Sequence, residues 1–311
     1  MNKLKQIVKG NLNSTYIISE IGINHNGSLD TALNLIYKSK EAGVDAVKFQ
    51  KRNLNTIYGE KLLEDSNSQE WSFEYLIPIL KEVELSRKDY LSIKRTCKKL
   101  DLDLIITPMD EDSVDFISDL GVSGIKIASA DMTNFSLIEK CSKLNLPFII
   151  STGMWTEDDI KNCTNHYKQI EIDYCLLLAN STYPSPFEDL NVNFITKLSK
   201  YSKSVGYSGH ERGIFIPISA VTLGARVIEK HITLDRNQKG PDHKASMLPS
   251  EWKSMVDNIR NLELAFGNTK QVNQAELLNK EVFAKSAYST SELKNGHVLP
   301  SLIHKCYLAK K

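Results

Sequence analysis

The sequence contains no run of about 18 apolar residues, so it offers no segment suited to cross a bilayer as a helix. The opening stretch MNKLKQIVKGNLN has no apolar core of the kind a secretory leader needs. Charge of one sign is not in excess either: 39 basic residues stand against 38 acidic ones. That balance excludes the broad positive field of a nucleic-acid or anionic-membrane binder, so any affinity for anions has to be local. Disulfide and zinc-ribbon patterns are missing as well. The five cysteines (Cys97, Cys141, Cys163, Cys175, Cys306) are odd in number, widely spaced and form no CxxC pair, which fits idle thiols in a reducing compartment. These absences together lead us to expect a cytoplasmic protein with no nucleic-acid and no membrane partner.

With 311 residues the chain can bury roughly 75% of its unfolded surface in one large domain. Eight short runs rich in β-branched residues recur along it: YIISEIG, VDAVKFQ, LDLIITP, SGIKIAS, PFIISTG, DYCLLLA, SVGYSGH and RVIEKHIT. Helical spacing fills most of the gaps, as in Leu29 to Ala42, Ser113 to Leu120, Phe135 to Leu144 and Ile214 to Leu223. Strands that alternate with helices pair in parallel, and eight such units closing on themselves predict a (β/α)₈ TIM barrel. Three helices end in glycine before a strand of similar design, AGVDAVKFQ, LGVSGIKIA and LGARVIEKH, where glycine suits a left-handed cap. Period-two alternation then sets Lys48 with Gln50, Lys126 with Ala128, and Glu229 with His231 on the interior face.

Residues 1–266 are expected to form the barrel and 267–280 a polar linker, with 281–311 a small strand, helix and strand segment. One connection is long, from Lys51 to about Glu70 after the second strand, and its position puts it at the catalytic face.

The carboxyl ends of the strands build the active site in barrels of this type. There the sequence places Glu20 with Asn24 and His25, Lys48 with Gln50, Thr107, Lys126 with Ser129 and Asp131, and Ser151 with Thr152. Ser181 with Tyr183, Ser208 with His210, and His231 followed by Asp242 and His243 complete the ring. Lys48 and Lys126 lie within apolar strands, where a lone ammonium is costly. An anion held with the hydroxyls of Thr107, Ser129, Ser151, Ser181 and Ser208 resolves that cost; internal pairing of each lysine with a carboxylate resolves it equally. His210 and His231 end neighbouring strands, so their imidazoles can share a divalent ion, and two nitrogens suit Mn²⁺, Fe²⁺, Co²⁺ or Zn²⁺ better than Mg²⁺. Each is otherwise a hydrogen-bonded structural histidine. Glu20 and Asp131 serve acid/base chemistry, sugar hydroxyls or a lysine; Asp242 binds substrate or shapes a turn.

In order, SEIGINHNG, AVKFQ, ITP, IKIASADMTN, ISTGM, STYPSP, GYSGH, EKHITLDR and GPDHKAS resemble the sialic acid synthase (NeuB) family over about residues 14 to 266. The resemblance implies a TIM barrel that condenses phosphoenolpyruvate with N-acetylmannosamine or a related 2,4-diacetamido sugar, releases phosphate and uses a divalent metal, Mn²⁺ foremost, with Mg²⁺ or Co²⁺ as alternatives. It further implies that Lys48, Thr107, Lys126, Ser129, Ser151, Ser181 and Ser208 hold phosphoenolpyruvate, and that His210 and His231 hold the metal. Glu20, Asp131, Tyr183 and Asp242 fall where the family contacts sugar or activates water, and Gln50 joins the substrate-binding set. The tail resembles the start of the family's C-terminal antifreeze-like (SAF) domain, which in the family reaches across a homodimer. A phosphorylated acceptor would call for a second basic cluster, for which Lys51 and Arg52 are the nearby residues.

Overall fold

A computed structural model describes residues 3–58 and 73–285, with a few positions between 292 and 298. Eight strands pair in parallel and in sequence order: β1 (Tyr16–Gly22), β2 (Ala46–Lys51), β3 (Asp103–Pro108), β4 (Gly124–Ile127), β5 (Phe148–Ser151), β6 (Tyr174–Ala179), β7 (Ser204–Gly209) and β8 (Val227–His231). Pairing of β8 with β1 closes the barrel, so the expected (β/α)₈ fold is the one observed. All eight apolar runs became strands. Helices that include Leu29–Ala42, Glu111–Leu120, Phe135–Ser142 and Phe215–Thr222 fill the spaces between them.

Strand alternation sorts the side chains into two cores. Ile17, Val47, Ile106, Ile127, Ile150, Leu176 and Ile228 face outward and pack under the helices. Tyr16, Ile18, Ala46, Ile105, Ile149, Cys175, Leu177 and Val227 face inward and fill the amino-terminal half of the interior. A helix at Lys3–Val8 plugs that end with Leu4, Ile7 and Val8. Gly124 makes room for the plug, since a Cβ there would stand 2.5 Å from Leu4 Cδ2. One more step of period two toward the carboxyl end brings Glu20, Lys48, Lys126, Ser208 and Glu229 inward, all buried. The interior is therefore apolar at one end and ionic at the other.

Of the three glycines expected to cap helices, Gly43 is left-handed and its N–H donates to the Lys40 and Ser39 carbonyls. Gly121 and Gly224 also have positive φ, but Leu223 caps the helix that precedes Gly224. The long connection after β2 contains a helical turn at Leu54–Ile57; its remainder, from residue 59, lies outside the described residues, as does most of the tail beyond 285. Two units separate, Met1–Glu263 and Leu264–Lys311. The second carries a helix, Gln274–Phe283, begun by a capping box between Asn273 and Glu276; it starts inside the stretch read as a linker, 267–280, and runs past its end. Among the described residues no helix is long and apolar enough to cross a membrane.

Candidate active site

Four charged side chains meet inside the barrel just below its carboxyl end. Lys48 Nζ lies 3.2 Å from Glu20 Oε2 and 3.5 Å from Glu229 Oε1, and it donates to Thr107 Oγ1 at 3.2 Å. Ser208 Oγ donates to Glu229 Oε1 at 3.0 Å, and Gln50 Nε2 to Glu20 Oε1 at 3.0 Å. Burial pulls the Lys48 ammonium down, and Glu20 and Glu229 more than reverse it, so its pKa stands above the ordinary lysine value. Burial would raise the Glu229 carboxyl, but Lys48 and then Lys126 hold it well below the usual carboxylate range.

The two lysines thus differ in which of the two alternatives they take. Lys48 is internally paired. Lys126 is not: its Nζ donates to the Ile127 carbonyl at 2.8 Å, and it has no ion-pair partner among the described residues. Burial, with Lys48 as a further contributor, pushes its pKa down to about 8 against the pull of Glu229. A second anion-seeking feature lies alongside, because Ser151 Oγ is buried with no partner.

Beyond β4, β5 and β6 the loops converge. Gly153 N–H donates to Ser129 Oγ at 3.0 Å, and a Cβ on Gly153 would stand 2.4 Å from Ser181 Oγ and 2.9 Å from Ser129 Oγ. Glycine here lets two hydroxyls crowd the space a side chain would take, a concentration of donors suited to a phosphoryl group. Gly153→Ala is expected to splay them and cost roughly 10²-fold in kcat/KM for an anionic donor, with the melting temperature nearly kept; steady-state kinetics beside thermal melting checks it.

The two imidazoles at the ends of β7 and β8 do come together, with ring centroids 5.7 Å apart. His210 Nδ1 is 2.6 Å from the Asn180 carbonyl, which can only accept, so Nδ1 carries the proton and Nε2 keeps a lone pair. Burial, aided by nearby His231, lowers the His210 pKa to about 3, which keeps the ring neutral. His231 Nδ1 is buried without a hydrogen bond, 3.8 Å from Asp242 Oδ2. Among the described residues no three His, Cys, Asp or Glu side chains gather into a metal cage. The donor set fits a cation held by two nitrogens whose other positions go to water or substrate oxygens. Tyr183 stacks over His210, centroids 4.1 Å apart.

A cavity of about 790 Å³ opens beside these rings, lined among others by Gln50, Arg52, Asp131, Tyr183, His231 and Asp242. It has room for two small substrates at once. Asp131 is half-buried, accepts from Asn134 Nδ2 at 3.1 Å, and has its pKa raised by burial.

Other polar residues of the expected ring have structural employment. Asn24 Nδ2 donates to the Ile232 carbonyl and to Ser246 Oγ, His25 Nδ1 accepts from Gly27 N, Thr152 Oγ1 donates to the Leu177 carbonyl, and His243 Nδ1 bonds with Thr233 Oγ1. Two further residues join the site, one absent from the expected ring and one expected only for a phosphorylated acceptor. Alternation puts Glu229 on the interior face with His231, and the two interior lysines, which demand negative charge nearby, are the signal that makes it part of the site. Arg52 is buried, donates to Gln50 Oε1 and lines the cavity; among the described residues it has no carboxylate partner.

Residues 35–271 match the model of the NeuB family. An N-acetylneuraminate-9-phosphate synthase of Drosophila melanogaster is 39% identical over 84% of this chain and 72% of its own. The chain belongs to the NeuB family. An N,N'-diacetyllegionaminic acid synthase of Legionella pneumophila is 36% identical over 93% of this chain and 83% of its own. The crystal structure of a sialic acid synthetase from Leptospira borgpetersenii superposes with a TM-score of 0.75 at 31% identity, covering 88% of this chain and 93% of that one. Membership in the NeuB family makes the chain an enzyme of the sialic and nonulosonic acid synthase class, and the relatives' names span more than one sugar.

Proposed function

We infer that the chain condenses phosphoenolpyruvate with N-acetylmannosamine, giving N-acetylneuraminate and phosphate; a 2,4-diacetamido sugar leading to legionaminate or pseudaminate is the alternative acceptor. The observation that carries this reading is Lys126, a buried cation without a carboxylate partner among the described residues, near unpartnered Ser151 and the Ser129–Gly153–Ser181 cluster. A trianionic three-carbon donor supplies the charge it lacks. Lys48, Lys126, Thr107, Ser129, Ser151, Ser181 and Ser208 hold that donor, and Gln50, Tyr183 and Asp242 line the space for the sugar. A divalent ion at His210 and His231, Mn²⁺ ahead of Mg²⁺ or Co²⁺, would supply Lewis acidity at the aldehyde oxygen.

Fixing both reactants is the main contribution of the chain. The C=C π electrons of phosphoenolpyruvate form the bond from its methylene carbon to the aldehyde carbon as the C=O π bond breaks, leaving a cation-like centre at the phosphate-bearing carbon and an alkoxide that takes the proton Glu20 or Asp131 draws from the attacking water. Water adds to the phosphate-bearing carbon, and Glu20 or Asp131 receives its proton. The C–O bond to the phosphorus-bearing oxygen then breaks, the adduct's hydroxyl gives its proton to the departing phosphate, and the keto acid remains. Residues 1–266 act as the catalytic barrel, 267–280 as a connection and 281–311 as part of an antifreeze-like segment. A cytoplasmic homodimer completes the reading.

A second acceptor class is favoured by Arg52. Three carbons added at the aldehyde turn C6 of the hexose into C9, so a product such as that in the Drosophila relative's name requires a 6-phosphate on the acceptor. Lys51 is engaged with Glu84, but Arg52 lines the cavity with no carboxylate partner among the described residues, a guanidinium suited to a phosphate. The test is phosphate release from phosphoenolpyruvate with a panel of acylamino hexoses, free and 6-phosphorylated, with and without chelator. Chelator-sensitive release with one acceptor is expected. Sugar binding without release by any member would replace the enzyme with a non-catalytic sugar-binding barrel.

A further inference from the structure

On the far side of β7 and β8 from the cavity lies an ion pair with no part in the chemistry above. The Lys230 and Glu211 side chains are both 0% exposed, with Nζ 2.8 Å from Oε1. Lys230 Nζ also donates to the Glu211 backbone carbonyl at 2.5 Å, and Tyr207 OH donates to Glu211 Oε2 at 2.6 Å. Both carboxylate oxygens are engaged, and the same lysine grips the main chain just past β7. Space for this comes from Gly209, where a Cβ would stand 2.7 Å from Glu211 Oε2 and 2.7 Å from Tyr207 Cε1. Gly209 in turn pairs with Lys230 across the ladder.

The next residues along each chain are His210, between Gly209 and Glu211, and His231, which follows Lys230. The pair therefore clamps together the two backbones that carry the imidazoles. A buried ion pair is weak evidence for stability, because well-packed apolar side chains in its place are often neutral or stabilising. What apolar packing lacks is direction. Two charged groups in hydrogen-bonded contact define a separation and an orientation, and a metal site tolerates errors of only about 0.2 Å in its distances.

We propose that the buried Glu211–Lys230 pair is a positioning device that sets the relation of His210 to His231 for a shared divalent cation, while the fold does not depend on it. This rests on the reading of the two histidines as a metal pair. The test titrates Co²⁺ into the full chain and follows its visible absorption, with urea unfolding of the metal-free protein alongside. One variant is apolar throughout, Glu211→Met with Lys230→Met and Tyr207→Phe, so that no polar group is left buried alone. The other is Glu211→Gln, which keeps the size of the side chain. Expected is a Co²⁺ dissociation constant raised 10- to 100-fold, as for other residues that orient ligands, with an altered absorption band and an unfolding midpoint unchanged or raised in the apolar variant. Wild-type affinity in either folded variant overturns the proposal, and so does failure of both variants to fold, which would make the pair a determinant of the fold. His210→Ala separates the underlying reading: if wild type and His210→Ala bind Co²⁺ alike, the metal pair itself is wrong and the proposal falls with it.

Discussion

Lys48→Met is expected to lower the unfolding free energy by about 3–5 kcal/mol, because it strands Glu20 and Glu229 as buried carboxylates with their cation gone. Urea denaturation at pH 7 reads the loss as a lower midpoint with an unchanged slope. The sign of its pH dependence follows from Glu229. Its folded pKa is depressed in the wild type, so its contribution is present above the ordinary carboxylate value of about 4.3 and is lost only as pH falls below that. In the variant the same carboxyl, deprived of the largest charge that opposes burial, has a higher pKa than in the wild type and takes up a proton at a higher pH. The stability gap between the two proteins should therefore narrow toward acid pH. Adding Glu229→Gln to Lys48→Met should recover part of the loss at neutral pH and flatten the dependence; no recovery would mean that the network is not held by charge.

The barrel was legible because its strands are continuous apolar runs and its helices carry a 3.6-residue stripe, two periodicities that local sequence records directly. Lys48 and Lys126 could be placed on the interior by counting from glycines, yet their difference could not. Whether a lysine is paired depends on which carboxylate stands opposite it around a closed circle, and Glu229 reaches Lys48 from the eighth strand to the second. The helix at Lys3–Val8 escaped for a related reason. Six residues are too few to show a period, and the apolar value of Leu4, Ile7 and Val8 appears only when the barrel end they plug exists. In contrast, the helix at Gln274–Phe283 had a local signal in Asn273 followed three residues later by Glu276, hidden within a polar stretch read as a connection. The clamp of Glu211 on Lys230 had none, since two charged residues 19 positions apart say nothing of each other until β7 and β8 lie side by side.

Lys126→Met should reverse the stability outcome of Lys48→Met while removing more activity. In the free protein Lys126 is a desolvated ammonium without a carboxylate, and a pKa of about 8 corresponds to a cost near 3 kcal/mol for its charged form. Methionine has nearly the same length and no charge, so the metal-free, substrate-free variant should be as stable as the wild type or more so at pH 7. The donor then loses a cation not committed to any carboxylate among the described residues, and kcat/KM for phosphoenolpyruvate should fall roughly 10²- to 10³-fold, the range seen when a preorganised donor to a developing charge is deleted. For the wild type the folded pKa lies below the unfolded one, so the unfolded chain binds more protons between about pH 8 and 10.4 and stability rises with pH across that window. Affinity for phosphoenolpyruvate should move the opposite way, weakening as pH climbs through about 8 and Lys126 discharges. Lys126→Met should show neither trend. A variant with an unchanged donor KM and the wild-type pH profile would remove Lys126 from the site and leave the ionic end of the barrel without an anion to receive.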